Sequence, residues 1–123
     1  RTKLKKLPNS IKKRNKVVSI YNKLLDDSFI RLEQPKFQQP SYHLYVVKFK
    51  ERDKLIIHMA KKNIYLGIHY HPPNHLNGVI SKFSSRKLGV TELISKLVVS
   101  LPIYPELKKK NQLFIIKELN GYK

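Results

Sequence analysis

Pro72 and Pro73 stand side by side in a 123-residue chain, and neither has an N–H to give a helix or a sheet ladder. Any strand that reaches them has to end there. The surrounding stretch, Gly67-Ile68-His69-Tyr70-His71-Pro72-Pro73-Asn74-His75-Leu76, hangs three imidazoles and a phenol on that stiffened backbone. Such rings bind protons, metals or substrate oxygens, so this loop is the first candidate for a site.

The length suits one domain and is too short for two, and 41% hydrophobic residues are enough for a core. A net charge of +18, from 26 Lys and Arg against 8 Asp and Glu, fits a polyanionic partner such as nucleic acid, an anionic membrane or a phosphate-bearing ligand. The richness in Lys, Ile and Asn fits the drift of an AT-rich genome equally well, so charge alone selects no partner. The absence of cysteine excludes a disulfide framework, a thiolate zinc site and a cysteine nucleophile, and makes a reducing compartment, the cytoplasm, the expectation. No apolar run approaches a membrane span, and the basic start lacks an apolar signal-peptide core. A soluble protein is expected.

Periodicity places the elements. Leu4, Leu7, Ile11, Val18, Tyr21 and Leu25 form one stripe and predict a long helix over 1–27, beginning or kinking at Pro8. Its opposite face, Lys5, Lys6, Lys12, Lys13, Arg14 and Lys16, reads as a solvated basic surface in preference to a phosphate-binding one, since a charge run alone is weak evidence. Residues 28–123 then read as an α+β sandwich: a short strand over Phe29–Leu32, a central strand over His43–Phe49, a helix over Arg52–Lys62 with Leu55, Ile56, Met59 and Ala60 inward, and a strand over Ile64–Tyr70. Asn63 is placed to cap the helix end, and His58 has a packing role. Gly78–Lys87 reads as a mobile loop containing Ser84-Ser85, followed by a helix over Val90–Val98, an extended segment over Ser100–Tyr104 and a closing helix over Lys108–Leu119. The expected architecture is a small, mainly antiparallel sheet covered by helices.

Several chemistries can be weighed on these residues. His69 and His71 point to one side of an extended strand end, and His75 can fold back as a third nitrogen ligand. Zinc sites usually add orienting carboxylates, however, and no Asp or Glu lies between Asp53 and Glu92. No metal site is expected. Ser84 and Ser85 sit in no nucleophile-elbow pattern, no acid is evident behind a particular histidine, and the four glycines form no phosphate-binding loop. If the loop is merely structural, His69 and Tyr70 pack as strand ends while His71 and His75 are exposed.

Three segments in order carry a resemblance: Tyr42-His43-Leu44-Tyr45-Val46, then Gly67-Ile68-His69-Tyr70 with Pro73 and His75-Leu76, then Ser100-Leu101-Pro102-Ile103-Tyr104-Pro105-Glu106-Leu107. With Arg14-Asn15-Lys16 and Ile20-Tyr21-Asn22 on the first helix, the chain resembles the C-terminal, small domain of the DegT/DnrJ/StrS sugar aminotransferases over nearly its whole length. The resemblance implies a homodimeric fold-type I enzyme that uses pyridoxal phosphate to transaminate a keto group on a nucleotide-linked sugar for surface polysaccharides or related glycans. It implies too that the large domain, with the Schiff-base lysine, the aspartate at the pyridinium nitrogen and the phosphate-binding residues, lies upstream of anything matching Arg1. No lysine here falls in that lysine's motif, so no catalytic or cofactor-binding residue is expected, and the chain alone should be inactive. By the same resemblance His69, Tyr70 and His75 would help shape the sugar-nucleotide pocket. The departures at His71, Pro72 and Asn74 prevent any transfer of substrate preference, and Ser100–Leu107 reads as architectural. The alternative is an autonomous nucleic-acid-binding module presenting Tyr45 and Phe49 from a basic sheet, but no RNP-type strand motif accompanies it.

Overall fold

The expected stripe does form a helix, and it runs unbroken through its proline. In the computed structural model, which describes residues 2–33, 40–83 and 86–122, helix α1 spans Thr2–Leu24 with Pro8 inside it. Only its second half is covered: Val17, Val18 and Tyr21 are buried, whereas Leu4 is 70% and Leu7 43% exposed. Strands β1 (Ile30–Arg31), β2 (Tyr45–Lys48) and β3 (Val98–Leu101) make an antiparallel sheet in the order β1-β2-β3. The apolar run from His43 to Phe49 therefore supplies the central strand, as its composition demands. Tyr45 pairs with Leu101 and Val47 with Val99, and all four are buried. Alternation turns Val46 and Ser100, also partners, to the other face.

Helix α2 (Arg52–Ala60) buries Leu55 and Met59, with Ile56 and Ala60 half-buried. Asn63 ends it with a left-handed turn at φ 58, its own N–H bonding Ala60 O at 2.9 Å and that of Ile64 bonding Met59 O at 3.0 Å. This pair of bonds is a Schellman cap, with an asparagine where glycine is usual. Helices α3 (Gly89–Leu97) and α4 (Lys109–Asn120) complete the fold. The α4 helix is tied to α1 by polar bonds at both ends. Buried Gln112 donates Nε2–H to Val17 O at 2.7 Å, and Asn120 donates to Leu24 O and accepts from Asp26 N–H.

One expected strand is not there. Ile64–Tyr70 contributes a single antiparallel bridge, Gly67 to Ser100, with N···O distances of 3.0 and 2.8 Å. The neighbouring hydrogen-bonded positions on that side of β3 would be Val98 and Pro102, two residues either way. Val98 gives its N–H to Ile94 O at the end of α3, and Pro102 has none to give. The ladder is stopped at both ends. Downstream, a short 3-10 turn forms at Asn74–Leu76, and Gly78–Lys87 is not wholly irregular, since another occurs at Ser81–Phe83; Ser84 and Ser85 lie outside the described residues.

Candidate functional site

The three loop histidines are held apart, each by a different side chain of α3 or β3. His69 Nδ1 lies 2.9 Å from Ser100 Oγ, His71 Nδ1 3.2 Å from Ser95 Oγ, and His75 Nε2 3.2 Å from Glu92 Oε1. Among the described residues no group of three or more His, Asp or Glu could hold a metal. Tyr70 stands out at 69% exposed, with its ring edge-on to that of His69 at 5.2 Å. Pro73 is buried beneath the loop. The peptide bonds His69-Tyr70 and His71-Pro72 are cis.

Each anchor has a local cause. Ser100 is the polar residue in an otherwise apolar strand, turned by alternation away from the core and toward His69. Gly67 is needed for close approach: a Cβ there would stand 2.6 Å from His69 Cε1 and 3.2 Å from Nδ1, so any side chain would push the imidazole off Ser100. Glu92 and Ser95 lie three residues apart on one side of α3. Arg52, only 4% exposed, reaches the last turn of that helix and donates Nη1–H to Ser95 O at 2.7 Å, while its Nε meets Asp53 at 2.9 Å. A cation at a helix C-terminus is favourable, and here it fixes the residue that holds His71.

The absence of an evident acid behind a histidine is corrected by the fold: Glu92 stands behind His75. Sequence distance hid it, because the loop and α3 meet only in space. The same Glu92 Oε1 accepts the Leu88 N–H at 3.0 Å, capping the start of α3. That N–H first, and then His75, hold the carboxyl below its ordinary range. A lowered carboxylate stabilises the fold above the unfolded value and loses that contribution as pH falls through the folded one. The Leu88 amide resonance is therefore expected to titrate with a midpoint below that of an ordinary glutamate, and Glu92→Gln to abolish the transition. A midpoint at or above the ordinary value would contradict the capping geometry.

The unused ring nitrogens, Nε2 of His69 and of His71 and Nδ1 of His75, have no hydrogen-bond partner among the described residues. Because Glu92 takes a proton donor, His75 carries its hydrogen on Nε2 and offers Nδ1 as an acceptor when neutral. His58, by contrast, packs against Tyr122 at 5.0 Å.

A three-stranded antiparallel sheet wrapped by helices, with a ring-bearing loop pinned to one side, is the build of a small domain in the fold-type I aminotransferases. Residues 1–120 match the model of the DegT/DnrJ/EryC1/StrS aminotransferase family, and the chain belongs to that family. Over 121 residues it is 29% identical to dTDP-3-amino-3,6-dideoxy-alpha-D-galactopyranose transaminase of Aneurinibacillus thermoaerophilus, covering 98% of this chain and 33% of the relative. It superposes with a TM-score of 0.91 on a DegT DnrJ EryC1 StrS aminotransferase from Brucella abortus, at 27% identity and over 98% of this chain and 33% of that one. The fold is shared too with S. venezuelae DesV, solved in complex with a ketimine intermediate, at a TM-score of 0.91 and 24% identity over 99% of this chain and 34% of DesV. The chain thus spans about a third of the length of the relatives it matches.

Nothing in these comparisons supports the nucleic-acid alternative. Neither aromatic is presented to solvent as a stacking platform: Tyr45 is 6% exposed and stacks on Tyr21, and half-buried Phe49 packs against the core and stacks on Phe29.

Proposed function

We propose that this chain is the C-terminal, substrate-facing third of a cytoplasmic, homodimeric, pyridoxal-phosphate-dependent aminotransferase acting on a nucleotide-linked keto sugar, with His69, Tyr70 and His75 lining the sugar-nucleotide pocket. The observation that carries the reading is the loop itself: Tyr70 is presented outward on a backbone pinned through Ser100, Ser95 and Glu92. Pinned donors and acceptors suit sugar hydroxyls and phosphate oxygens, because little ordering entropy is left to lose on binding. The Aneurinibacillus relative, named as a transaminase of a dTDP-linked amino sugar, motivates the substrate class.

The chain's own donors do not fit the cofactor. Every described lysine is exposed except Lys48, half-buried on β2, whereas a Schiff-base lysine needs a desolvated pocket to be nucleophilic. The carboxylate beside the loop, Glu92, is occupied by Leu88 and His75. No step of amino transfer is assigned to these residues, and the cofactor's anchors belong to the remaining two thirds of the enzyme. Among the described residues no helix is long and apolar enough to cross a membrane.

The test is an amino-transfer assay. The 123-residue chain alone is expected to show no turnover of a dTDP-linked keto sugar. A polypeptide joining the unmatched two thirds of the Aneurinibacillus transaminase ahead of Arg1 is expected to show it. Turnover by the isolated chain, or none by a folded joined polypeptide, would sink the reading.

A further inference from the structure

Helix α3 is built inside out. Val90, Leu93, Ile94 and Leu97 recur at the spacing of a single helical face, yet Val90 is 73%, Leu93 61% and Ile94 37% exposed. The opposite face, which carries Glu92 and the buried Ser95, is the one turned into the protein, against His75, His71 and Arg52. An amphipathic helix surrounded by water buries its apolar stripe; this one buries its polar stripe. Val79 and Ile80, in the chain leading to α3, are a further 73% and 45% exposed.

We propose that this apolar face of α3 docks onto a protein surface that is apolar at its centre and acidic at its rim, supplied by the other two thirds of a family-length aminotransferase. The inference rests on the function proposed above. Two observations select that occupant. About two thirds of the relatives' length lies outside the part this chain covers, which is material enough to cover the face. Charge then argues against a second copy of this chain. From Leu76 to Val98 the charged residues are Lys82, Arg86, Lys87, Lys96 and one acid, Glu92, and Glu92 is turned inward onto His75. Two copies face to face would oppose the same cations, on chains of net charge +18, at a cost that an acidic rim converts into attraction. The arrangement has a functional consequence: the helix that pins His71 and His75 on its inner side is held by the partner on its outer side. Docking and loop position are thereby coupled.

The chain has no cysteine, so a single introduced thiol reports local exposure. In Leu93→Cys, labelling by a water-soluble maleimide is expected to be fast in the isolated chain. It should be slower by roughly tenfold or more in the joined polypeptide described above, as for a site reached only through local opening. Ile57→Cys, on α2 at a position 61% exposed, should label at the same rate in both. Unslowed labelling at position 93 in the joined polypeptide, whether its parts dock elsewhere or fail to dock, overturns the proposal. Concentration-dependent protection of Leu93→Cys in the isolated chain, with a dimer by sedimentation, overturns it in favour of a second copy. The labelling and amino-transfer readouts are independent. Turnover without protection refutes the docking face alone, and protection without turnover refutes the function alone.

Discussion

Replacing Tyr21 with alanine is expected to cost about 3–5 kcal/mol of unfolding free energy, the range for removing a fully buried aromatic side chain. Tyr21 is 0% exposed, its ring stacks on Tyr45 at 5.0 Å and 18°, and its hydroxyl donates to Pro102 O at 2.9 Å. Tyr45 in turn donates to Asn22 Oδ1 at 2.6 Å. One aromatic pair therefore bolts together α1, β2 and the turn after β3. Tyr21→Phe keeps the stack and leaves the Pro102 carbonyl without its donor, so about 1 kcal/mol is expected. Urea unfolding followed by circular dichroism measures both. A Tyr21→Ala loss under about 1.5 kcal/mol would mean the stack is dispensable. Burial, and then the neighbouring Tyr45 and Tyr104, push the Tyr21 hydroxyl pKa well above the ordinary 10.0. The unfolded chain therefore loses that proton first as pH rises, and the contribution of this group to stability declines above pH 10.

That junction explains why so much of the family resemblance was legible in sequence. Ile20-Tyr21-Asn22, Tyr42–Val46 and Ser100–Leu107 lie far apart in the chain, and they are the segments that meet at Tyr21, Tyr45 and Pro102. A motif is readable when its residues are bound to one another. The helices and the central strand were legible for a simpler reason, since burial of Leu55 and Met59, or of Tyr45 and Val47, follows the periods of helix and strand. Periodicity misled where backbone donors decide. Ile64–Tyr70 has the composition of a strand, but its ladder depends on the N–H groups of Val98 and residue 102, one already taken and the other a proline. The anchors of the candidate site were the least legible part. Ser95, Ser100 and Glu92 act across 24, 31 and 17 residues of sequence, and such contacts leave a signal only as polar residues in places a core pattern does not want them. Ser100 inside Val98-Val99-Ser100-Leu101 and Ser95 opposite the stripe of α3 are two such residues.

The unequal anchoring of the loop separates the substrate-pocket reading from a metal site. In a joined polypeptide that turns over a dTDP-linked keto sugar, Tyr70→Phe and His75→Ala are each expected to lower kcat/KM by roughly ten- to a hundredfold, or about 1–3 kcal/mol of transition-state binding. Neither should change the cofactor's absorbance spectrum or the fold, because Tyr70 is 69% exposed and the loop keeps its anchors at Ser100 and Ser95 when His75, whose other nitrogen has no partner among the described residues, is replaced. Glu92→Gln keeps a hydrogen-bond acceptor for Leu88 but removes the charge opposite His75, so it should act through the histidine: a smaller loss in kcat/KM, and none when His75 is already alanine. His58→Ala should cost packing against Tyr122 and leave kinetics unchanged. A metal site predicts a different pattern, in which chelators inactivate and His69, His71 and His75 are equivalent. The three rings reach for Ser100, Ser95 and Glu92 separately, so equivalence is not expected. Single-variant kcat/KM values measured with and without chelator decide the matter, and unchanged kinetics in both Tyr70→Phe and His75→Ala would end the assignment of this loop to the sugar-nucleotide pocket.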